Sequence, residues 1–248
     1  MTRDLDYSIY YGRYHSDSAA HAEGMAERLK QELAPMLPED RKGAVLDIGC
    51  GYGFALLALK KLHFENIEGV EVSAQQADRA RSFGLNVDVV EDTRSWLVSR
   101  TQRFSVVMLL DVLEHVPVSE QIPLLRAIYG SLAPDGRLIV QLPNANAILS
   151  ARWRYNDFTH YSSFTENSLY YVLRNAGFND IKINVEKGLV RPSMRLWRKN
   201  VRASFTILLR RYLVRWFWLQ VFKAELPWDR LDDISFELNL KAVAFRRG

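Results

Sequence analysis

The sequence predicts an α/β domain built on a doubly wound, mostly parallel β-sheet. Its 248 residues are enough for one large α/β domain. Short apolar runs of strand length alternate with helical patterns along most of the chain, and a glycine-rich loop follows the first run. Such alternation is typical of βαβ units, which place their strands side by side in a parallel sheet.

The spacing of apolar residues locates each element. A first helix occupies residues 19–34 and stops near Pro35. Strands are predicted at residues 44–48, 67–72, 87–90, 104–110, 137–142, 180–186 and 236–245. Helices are predicted between them at residues 54–63, 74–83, 94–99, 119–132 and 165–176. Gly84, the run 134–136 (Pro-Asp-Gly) and Gly177 are turn or helix-end signals.

The composition excludes several classes of protein. With 48% hydrophobic and 25% charged residues, the chain is neither collagen-like nor of low complexity. The single cysteine, Cys50, excludes an intrachain disulfide framework and a cysteine-based zinc cage. The N-terminal residues lack the apolar core of a secretory signal, and no apolar run approaches the roughly 18 residues of a membrane span. We therefore expect a cytoplasmic protein.

Positive charge is concentrated in one segment. The chain has 33 Lys and Arg against 29 Asp and Glu, and ten of the cations but no acid lie between Lys187 and Lys223. The rest of the chain is therefore net acidic. An anionic partner is expected for this segment and not for the whole protein.

The glycine-rich loop indicates a nucleotide site. Gly49, Gly51 and Gly53 lie between the first strand and the helix that begins near Phe54. Glycines at alternate positions let the backbone turn tightly and approach a ligand. At the carboxyl end of a strand, such a loop marks the usual nucleotide crevice of an open sheet. The GxGxG spacing differs from the GxGxxG of dinucleotide folds, which weakens an NAD assignment without eliminating it.

Acidic residues follow three further strands at the same sheet edge. Glu71 ends the second strand, where a carboxylate can accept hydrogen bonds from both ribose hydroxyls; the alternative is a solvated acid. Asp92 follows the third strand and could accept from an adenine amino group, or it could simply cap the next helix. Asp111 follows the fourth strand.

Four motifs together resemble those of class I S-adenosylmethionine-dependent methyltransferases. They are VLDIGCGYG (45–53), the acid at Glu71, DVLEHV (111–116) and LAPDGRLIV (132–140), and the resemblance covers residues 40–185. It implies a Rossmann-like methyltransferase fold with seven strands, the last antiparallel. It also implies S-adenosylmethionine as the methyl donor. By this resemblance the donor site comprises Asp47, Gly49, Gly51 and Gly53 at the methionine end, Glu71 at the ribose, Asp92 at the adenine, and Leu110 and Asp111 as the floor.

The same resemblance implies roles for two further residues. N-terminal segments in this family often cover the donor, so Arg13 could pair with the methionine carboxylate; an exposed arm without that role is the alternative. His115 corresponds to a residue that commonly lines the site in the family. It is a second candidate catalytic residue.

Methyl transfer to a hydroxyl requires alignment of the reactants and a base. His160 lies in the loop after the fifth strand, where substrate should enter, and Asp157 precedes it as a candidate orienting carboxylate. A structural hydrogen bond within the loop is the alternative role of His160. Asp111 and Glu114 add metal-ligating groups, but their spacing with Asp157 and His160 matches no standard ligand pattern, so no metal is predicted.

The basic segment is also rich in aromatic residues. Residues 197–223 combine three tryptophans and three phenylalanines with many arginines, a composition typical of helices that lie on anionic membrane surfaces. On a helical wheel Arg211 and Arg215 lie opposite the other cations. Either the helix breaks near Arg210, or these two arginines snorkel or pair with acids of the body. A dimer interface or substrate lid is the alternative; nucleic-acid binding is not expected.

A second resemblance concerns the acceptor. The run 157–160 (Asp-Phe-Thr-His), the pair 164–165 (Phe-Thr) and the basic aromatic stretch look similar to methyltransferases that modify lipid-linked or polysaccharide sugars. This implies transfer to a hydroxyl of a sugar-bearing or lipidic acceptor, at the inner face of a membrane. The alternatives are a methyltransferase of a quinone precursor or other small lipophilic molecule, and a donor-binding protein without catalysis.

We divide the chain accordingly. Residues 1–40 form a predicted N-terminal cap, residues 41–187 with 236–248 the donor-binding domain, and residues 188–235 a basic amphipathic insertion before the last strand. The oligomeric state is left open.

Overall fold

The computed structural model describes residues 12–16, 18–184, 201–228 and 234–247. The strands are β1 (Val45–Ile48), β2 (Ile67–Glu71), β3 (Val87–Val89), β4 (Phe104–Leu110), β5 (Leu132–Pro143), β6 (Asp180–Asn184) and β7 (Asn239–Phe245). The helices are α1 (Ala19–Leu33), α2 (Phe54–Lys61), α3 (Ala74–Ser82), α4 (Thr93–Val98), α5 (Val118–Ser131), α6 (Ser150–Asn156), α7 (Glu166–Ala176) and α8 (Val201–Glu225). Two short 3₁₀ turns lie at Ala34–Met36 and Leu113–His115.

The seven strands form one sheet in the order β3-β2-β1-β4-β5-β7-β6. Neighbouring strands are parallel except at β7, which runs antiparallel to both β5 and β6. The order reverses between β1 and β4. At such a switch point the loops after the two strands diverge and leave a crevice outside their carboxyl ends. The predicted doubly wound, seven-stranded sheet is confirmed.

Helices cover both faces of the sheet because β4 is apolar on both sides. Val106 and Met108 pack in a core with α1, α2 and α3, whereas Val107 and Leu109 pack in a second core with α4, α5 and α7. Alternate residues of a strand point to opposite faces, so one continuous apolar run supplies two cores. The rigid strands in turn position the loops at their carboxyl ends.

Apart from shifts at element ends, such as β7 beginning at Asn239 and not at residue 236, two features differ from the predictions. The turn predicted at residues 134–136 lies inside β5, where Phe104 pairs with Leu132 and Val106 next pairs with Arg137. The extra residues form a bulge, with Asp135 at a φ of +59°. Helix α6 has no counterpart among the predicted helices; its residues include no buried side chain, so its sequence lacks an apolar stripe.

The basic segment is only partly described. Residues 185–200, which include Arg198 and Lys199, lie outside the described ranges. From Val201 to Glu225 α8 is one uninterrupted helix, so the alternative of a break near Arg210 is wrong. Arg215 instead forms an ion pair with Glu237 at 2.5 Å, which agrees with the alternative that this arginine pairs with an acid of the body. Among the described helices, none combines the length and apolar character needed to cross a bilayer.

Candidate active site

A cavity of about 520 Å³ lies at the carboxyl ends of β1, β2, β4 and β5. That volume is within the range of small-molecule sites. Strand ends contribute Asp47, Glu71, Leu110 and Gln141 to its wall, and the following loops contribute Gly49, Gly51, Asp111 and His115. Its other walls come from the N-terminal segment, α1 and the loop around α6. The predicted edge of the sheet therefore holds this cavity.

The glycine loop depends on backbone conformations that other residues rarely adopt. Gly49 has a φ of +68° and Gly53 a φ of +78°, both in the left-handed region. A Cβ atom on Gly49 would lie 2.6 Å from a methyl group of Val112, and one on Gly53 would lie 2.3 Å from a methyl group of Leu85. Gly49 lines the cavity, whereas Gly53 supports the loop from behind, where α2 begins.

Glu71 joins two loops through its buried carboxylate. One oxygen accepts a hydrogen bond from the Gly51 N–H at 2.9 Å, and the other accepts from the Ser73 N–H at 2.9 Å. Burial raises the pKa of Glu71. Each oxygen retains acceptor capacity toward the cavity, as recognition of ribose hydroxyls requires.

Asp47 lies deeper in the same wall and is only 2% exposed. Burial, and next the neighbouring carboxylate of Glu71, raise the pKa of Asp47 to about 8. Two buried acids on adjacent strands disfavour each other's charge. This end of the cavity therefore suits a ligand that donates hydrogen bonds or carries positive charge.

Asp111 follows β4 at a φ of +55° and forms part of the cavity floor with Leu110. The side-chain amide of Gln141 donates to its carboxylate at 2.9 Å, and the Asp111 N–H donates to the Gln141 carbonyl at 2.8 Å. Burial raises the pKa of Asp111 to about 6, although the Gln141 hydrogen bond opposes the shift. Gln141 was not among the predicted site residues because it lies inside an apolar strand run.

The predicted catalytic residues converge on the opposite side of the cavity. The rings of His115 and His160 lie edge to face with centroids 4.6 Å apart. The Nε2 atom of His160 is 3.9 Å from an oxygen of Asp157, too far for a hydrogen bond. Asp157 instead accepts a hydrogen bond from Thr159, and Thr159 contacts His115. The structure thus corrects the predicted pairing, since the carboxylate orients His115 through a hydroxyl and does not bond to His160.

Glu114, which the sequence suggested only as a possible metal ligand, is a buried residue of the cavity wall. It is 1% exposed, lines the cavity, and among the described residues neither of its side-chain oxygens has a hydrogen-bond partner. Burial raises the pKa of Glu114 well above its usual value. The signal in the sequence is an acid between two apolar residues and a histidine in the run 111–116.

Besides Gly53, two predicted donor-site residues do not line the cavity. Asp92 accepts hydrogen bonds from the backbone and hydroxyl of Ser95, and so it caps α4 as the alternative prediction proposed. These bonds lower the pKa of Asp92. Arg13 is exposed and lies outside the wall. Its place is taken by Tyr14, whose hydroxyl accepts from Asn156, and by Arg28 of α1.

The sheet order, the switch-point cavity, the glycine loop and the acid at the end of β2 define a class I S-adenosylmethionine-dependent methyltransferase. A family model described as a methyltransferase domain matches residues 21–183 of the chain. The chain therefore belongs to this methyltransferase family.

Related proteins support this assignment. The chain is 30% identical over 181 residues to a ubiquinone biosynthesis O-methyltransferase of Cereibacter sphaeroides, covering 67% of this chain and 70% of that protein. It is 28% identical over 137 residues to 27-O-demethylrifamycin SV methyltransferase of Amycolatopsis mediterranei, covering 53% of this chain and 49% of that protein. The predicted resemblance to sugar-modifying enzymes is not supported by these relatives.

Solved structures share the fold. An S-adenosylmethionine-dependent methyltransferase from Archaeoglobus fulgidus superposes with a TM-score of 0.67 at 20% identity, covering 97% of this chain and all of that chain. Phosphoethanolamine N-methyltransferase 2 of Haemonchus contortus, solved with S-adenosylmethionine, superposes with a TM-score of 0.59 at 16% identity, covering 99% of this chain and 61% of that chain. The methyl donor of this chain is S-adenosylmethionine.

Proposed function

We propose that this enzyme transfers the methyl group of S-adenosylmethionine to a hydroxyl oxygen of a small lipophilic acceptor. The observation that carries the proposal is a cluster of two imidazoles and a carboxyl group, His115, His160 and Glu114, in the cavity that Glu71 and the glycine loop also line. A hydroxyl group loses its proton when it is methylated, and a neighbouring imidazole with a free lone pair can accept that proton.

Different parts of the cavity wall bind the donor and the acceptor. Glu71 and the backbone of the glycine loop supply acceptors and a close approach for the adenosyl part of the donor. S-adenosylmethionine supplies an electrophilic methyl group, so the protein's remaining task is to align an acceptor oxygen with it. Asp47 and Asp111 line the same cavity and favour a positively charged group there.

The histidines are unprotonated near neutral pH, as a proton acceptor must be. Burial, and next the neighbouring His160, lower the pKa of His115 to about 4. Burial also lowers the pKa of His160. Both imidazoles are therefore neutral near pH 7 and have a free nitrogen lone pair.

The cavity rim favours a lipophilic acceptor. Trp153 and Leu238 line the cavity and are exposed. Shortly after Trp153 in the chain, Tyr155 is 78% exposed and Phe158 is 92% exposed. An exposed patch of large apolar side chains marks an interaction site for apolar partners. The relatives named for ubiquinone biosynthesis and for demethylrifamycin agree with an acceptor of this kind.

Replacing His160 tests the proposal. Because the acceptor's proton must leave, His160→Ala should slow turnover by about 100-fold or more while donor affinity stays unchanged. Exposed His63, where φ is +63°, provides the matched control His63→Asn. Transfer of labelled methyl is measured with a catechol-type quinone precursor and with a lipid-linked sugar as acceptors. Wild-type turnover of the His160 variant, or transfer to the sugar alone, would contradict the proposal.

We infer further that α8 brings the cavity to an anionic membrane surface, where a lipophilic acceptor resides. Its inner face is tied to the body by the Arg215–Glu237 ion pair and by a hydrogen bond from the Trp218 indole to the Asn146 carbonyl. Its outer face exposes an apolar stripe at the i, i+3, i+4, i+7, i+8 spacing, consisting of Leu209, Tyr212, Leu213, Trp216 and Phe217.

Charge supports a membrane as the occupant of this stripe. Arg210 is exposed beside it, and the helix contains a single acid, Glu225. Cations flanking exposed aromatic residues bind anionic headgroups while the rings enter the interface. A second copy of the chain would place like charges together.

Vesicle sedimentation tests this docking. The double variant Leu213→Glu with Trp216→Glu should lose most binding to phosphatidylglycerol-rich vesicles, because it places charges on the stripe. The equally exposed Val98 of α4 and Val118 of α5 give the control variant, Val98→Glu with Val118→Glu. Equal sedimentation of the two variants, or concentration-dependent dimers in place of vesicle binding, would overturn the membrane assignment.

A further inference from the structure

Three side chains in the cavity bring potential metal ligands together. Each of Glu114, His115 and His160 offers one ligand atom, and these atoms lie within 4.8 Å of one another. Glu114 and His115 lie in the 3₁₀ turn after β4, and His160 lies in the loop after α6. Neither oxygen of Glu114 has a hydrogen-bond partner in the described part of the chain, although the residue is 1% exposed.

Hydrogen bonds fix which nitrogen of His115 is free. Its Nδ1 atom lies 2.7 Å from the hydroxyl of Thr159, and that hydroxyl donates its only proton to Asp157 at 2.5 Å. The hydroxyl must therefore accept from Nδ1–H of His115. This leaves Nε2 of the neutral ring with an unprotonated lone pair.

The same argument applies to His160. Its Nδ1 atom lies 3.1 Å from the main-chain carbonyl of Trp153, which can only accept. Nδ1 of His160 therefore carries the proton, and Nε2 has the free lone pair. Both imidazoles are thus held as acceptors on the atom that histidines commonly offer to metals.

The cluster consequently places two imidazole lone pairs beside a buried carboxyl group whose oxygens have no hydrogen-bond partner among the described residues. A buried polar group without a partner costs free energy, and an unpaired carboxylate costs more. A cation at the centre removes this cost for all three groups together. Two imidazoles and one carboxylate form the protein ligand set of catalytic zinc sites and of non-haem iron sites, both of which keep an open position.

We propose that Glu114, His115 and His160 bind a divalent transition-metal ion such as Zn²⁺, with an open position facing the cavity. The hydrogen bonds of His115 to Thr159 and of His160 to the Trp153 carbonyl are the outer-shell contacts that orient metal-binding imidazoles. The role of the ion rests on the proposed function. A bound ion would lower the pKa of an acceptor hydroxyl at its open position, and the released proton would pass to water, because both imidazole lone pairs would be metal ligands. It revises the prediction that the site holds no metal.

Metal binding is measured on the full chain independently of catalysis. After chelator treatment, the wild-type protein should bind one equivalent of Zn²⁺ by calorimetry, and Co²⁺ should give the visible absorption of nitrogen ligation. Glu114→Gln preserves the shape of the side chain and should weaken binding by at least about tenfold, as should His160→Ala. His63→Asn controls for surface histidines and should bind like wild type.

Thr159→Val tests the outer shell, since it removes the hydroxyl that accepts from His115 and should weaken Zn²⁺ binding by about tenfold. Absence of a Zn²⁺ equivalent in the wild type, or equal affinity in Glu114→Gln, would overturn the metal site. An infrared band of a protonated carboxyl group that persists in Zn²⁺ and disappears only in Glu114→Gln would overturn it too. Donor affinity, measured on the same samples with S-adenosylhomocysteine, separates failure of the metal site from failure of the methyltransferase assignment.

Discussion

Glu71 has two tasks that depend on one carboxylate. It accepts hydrogen bonds from the backbone of Gly51 and Ser73, and it presents its remaining lone pairs to the cavity. Glu71→Ala should therefore weaken donor binding by about 1–3 kcal/mol, the range for loss of a hydrogen-bond partner to a charged group. Calorimetry with S-adenosylhomocysteine measures the change.

A second acid of the same strand provides the control. Glu68 pairs with Arg103 at 2.7 Å and does not line the cavity. Glu68→Ala should leave donor affinity at the wild-type value. If both variants bind the donor as the wild type does, Glu71 has no part in the donor site.

Asp47 should make the stability of the ligand-free protein fall with rising pH. Its pKa is about 8 in the folded chain and 3.8 as a free side chain. Between these values the folded state retains a proton that the unfolded state has released, so the free energy of unfolding decreases as pH rises from about 4 to about 8. Asp47→Asn removes this contribution and should be more stable than wild type by on the order of 2 kcal/mol near pH 7.5.

Denaturant titrations at several pH values measure that effect. The difference between Asp47→Asn and wild type should shrink toward pH 4, where both states of the wild type hold the proton. Asp88 is exposed on β3, and Asp88→Asn should follow the wild-type curve. A constant difference across the pH range would show that the buried charge is not its cause.

At the residue scale, the sequence predicted the groups that follow strands better than those that come from elsewhere. Asp47, Glu71 and Asp111 line the cavity because the ends of parallel strands meet at one edge. Asp92 also follows a strand, but its carboxylate is used by α4. Whether such a carboxylate caps a helix or binds a ligand depends on local geometry that a sequence pattern does not reveal.

At the scale of elements, the start of α2 should be intolerant of a side chain. Gly53 has a φ of +78°, and an added Cβ would lie 2.3 Å from Leu85. Gly53→Ala should destabilise the fold by about 1–3 kcal/mol, through backbone strain and overpacking, and should displace the glycine loop. Thermal unfolding and donor affinity should both report the change.

Gly130 is the matched comparison. It lies in α5, and an added Cβ would meet no atom within 4 Å. Gly130→Ala should stabilise the protein by about 0.4–1 kcal/mol, because alanine restricts the unfolded chain and favours the helix. Equal effects of the two substitutions would contradict the role assigned to the Gly53 backbone.

Elements with an apolar stripe were predictable, and those without one were not. Helices α5 and α7 bury Leu125, Ile128, Leu169 and Leu173 in one core, so the helical period is visible in their sequence. Helix α6 buries no residue, yet it carries Trp153 to the cavity wall. The element that shapes the acceptor side is thus the one that periodicity could not detect.

At the scale of the whole molecule, the basic segment is an excursion between two strands that are already paired. Asn184 at the end of β6 pairs with Lys241 of β7, so the chain leaves the sheet and returns to a neighbouring strand. The buried core clusters of the described chain include no residue of α8. The donor side of the cavity likewise consists of residues that precede β6 in the chain.

Excision of the segment should therefore leave a folded, donor-binding protein. The test replaces residues 185–233 with a flexible linker of about ten Gly and Ser residues, which extends to about 33 Å at most. Ser235, whose carbonyl accepts from buried Asn144, is retained. The melting temperature should fall by no more than about 5 °C, and donor affinity should equal that of the full chain. Sedimentation with phosphatidylglycerol-rich vesicles should be lost, and with it turnover of an acceptor embedded in them. If the shortened chain fails to fold or to bind the donor, α8 is part of the catalytic domain and not an insertion that places that domain at a membrane.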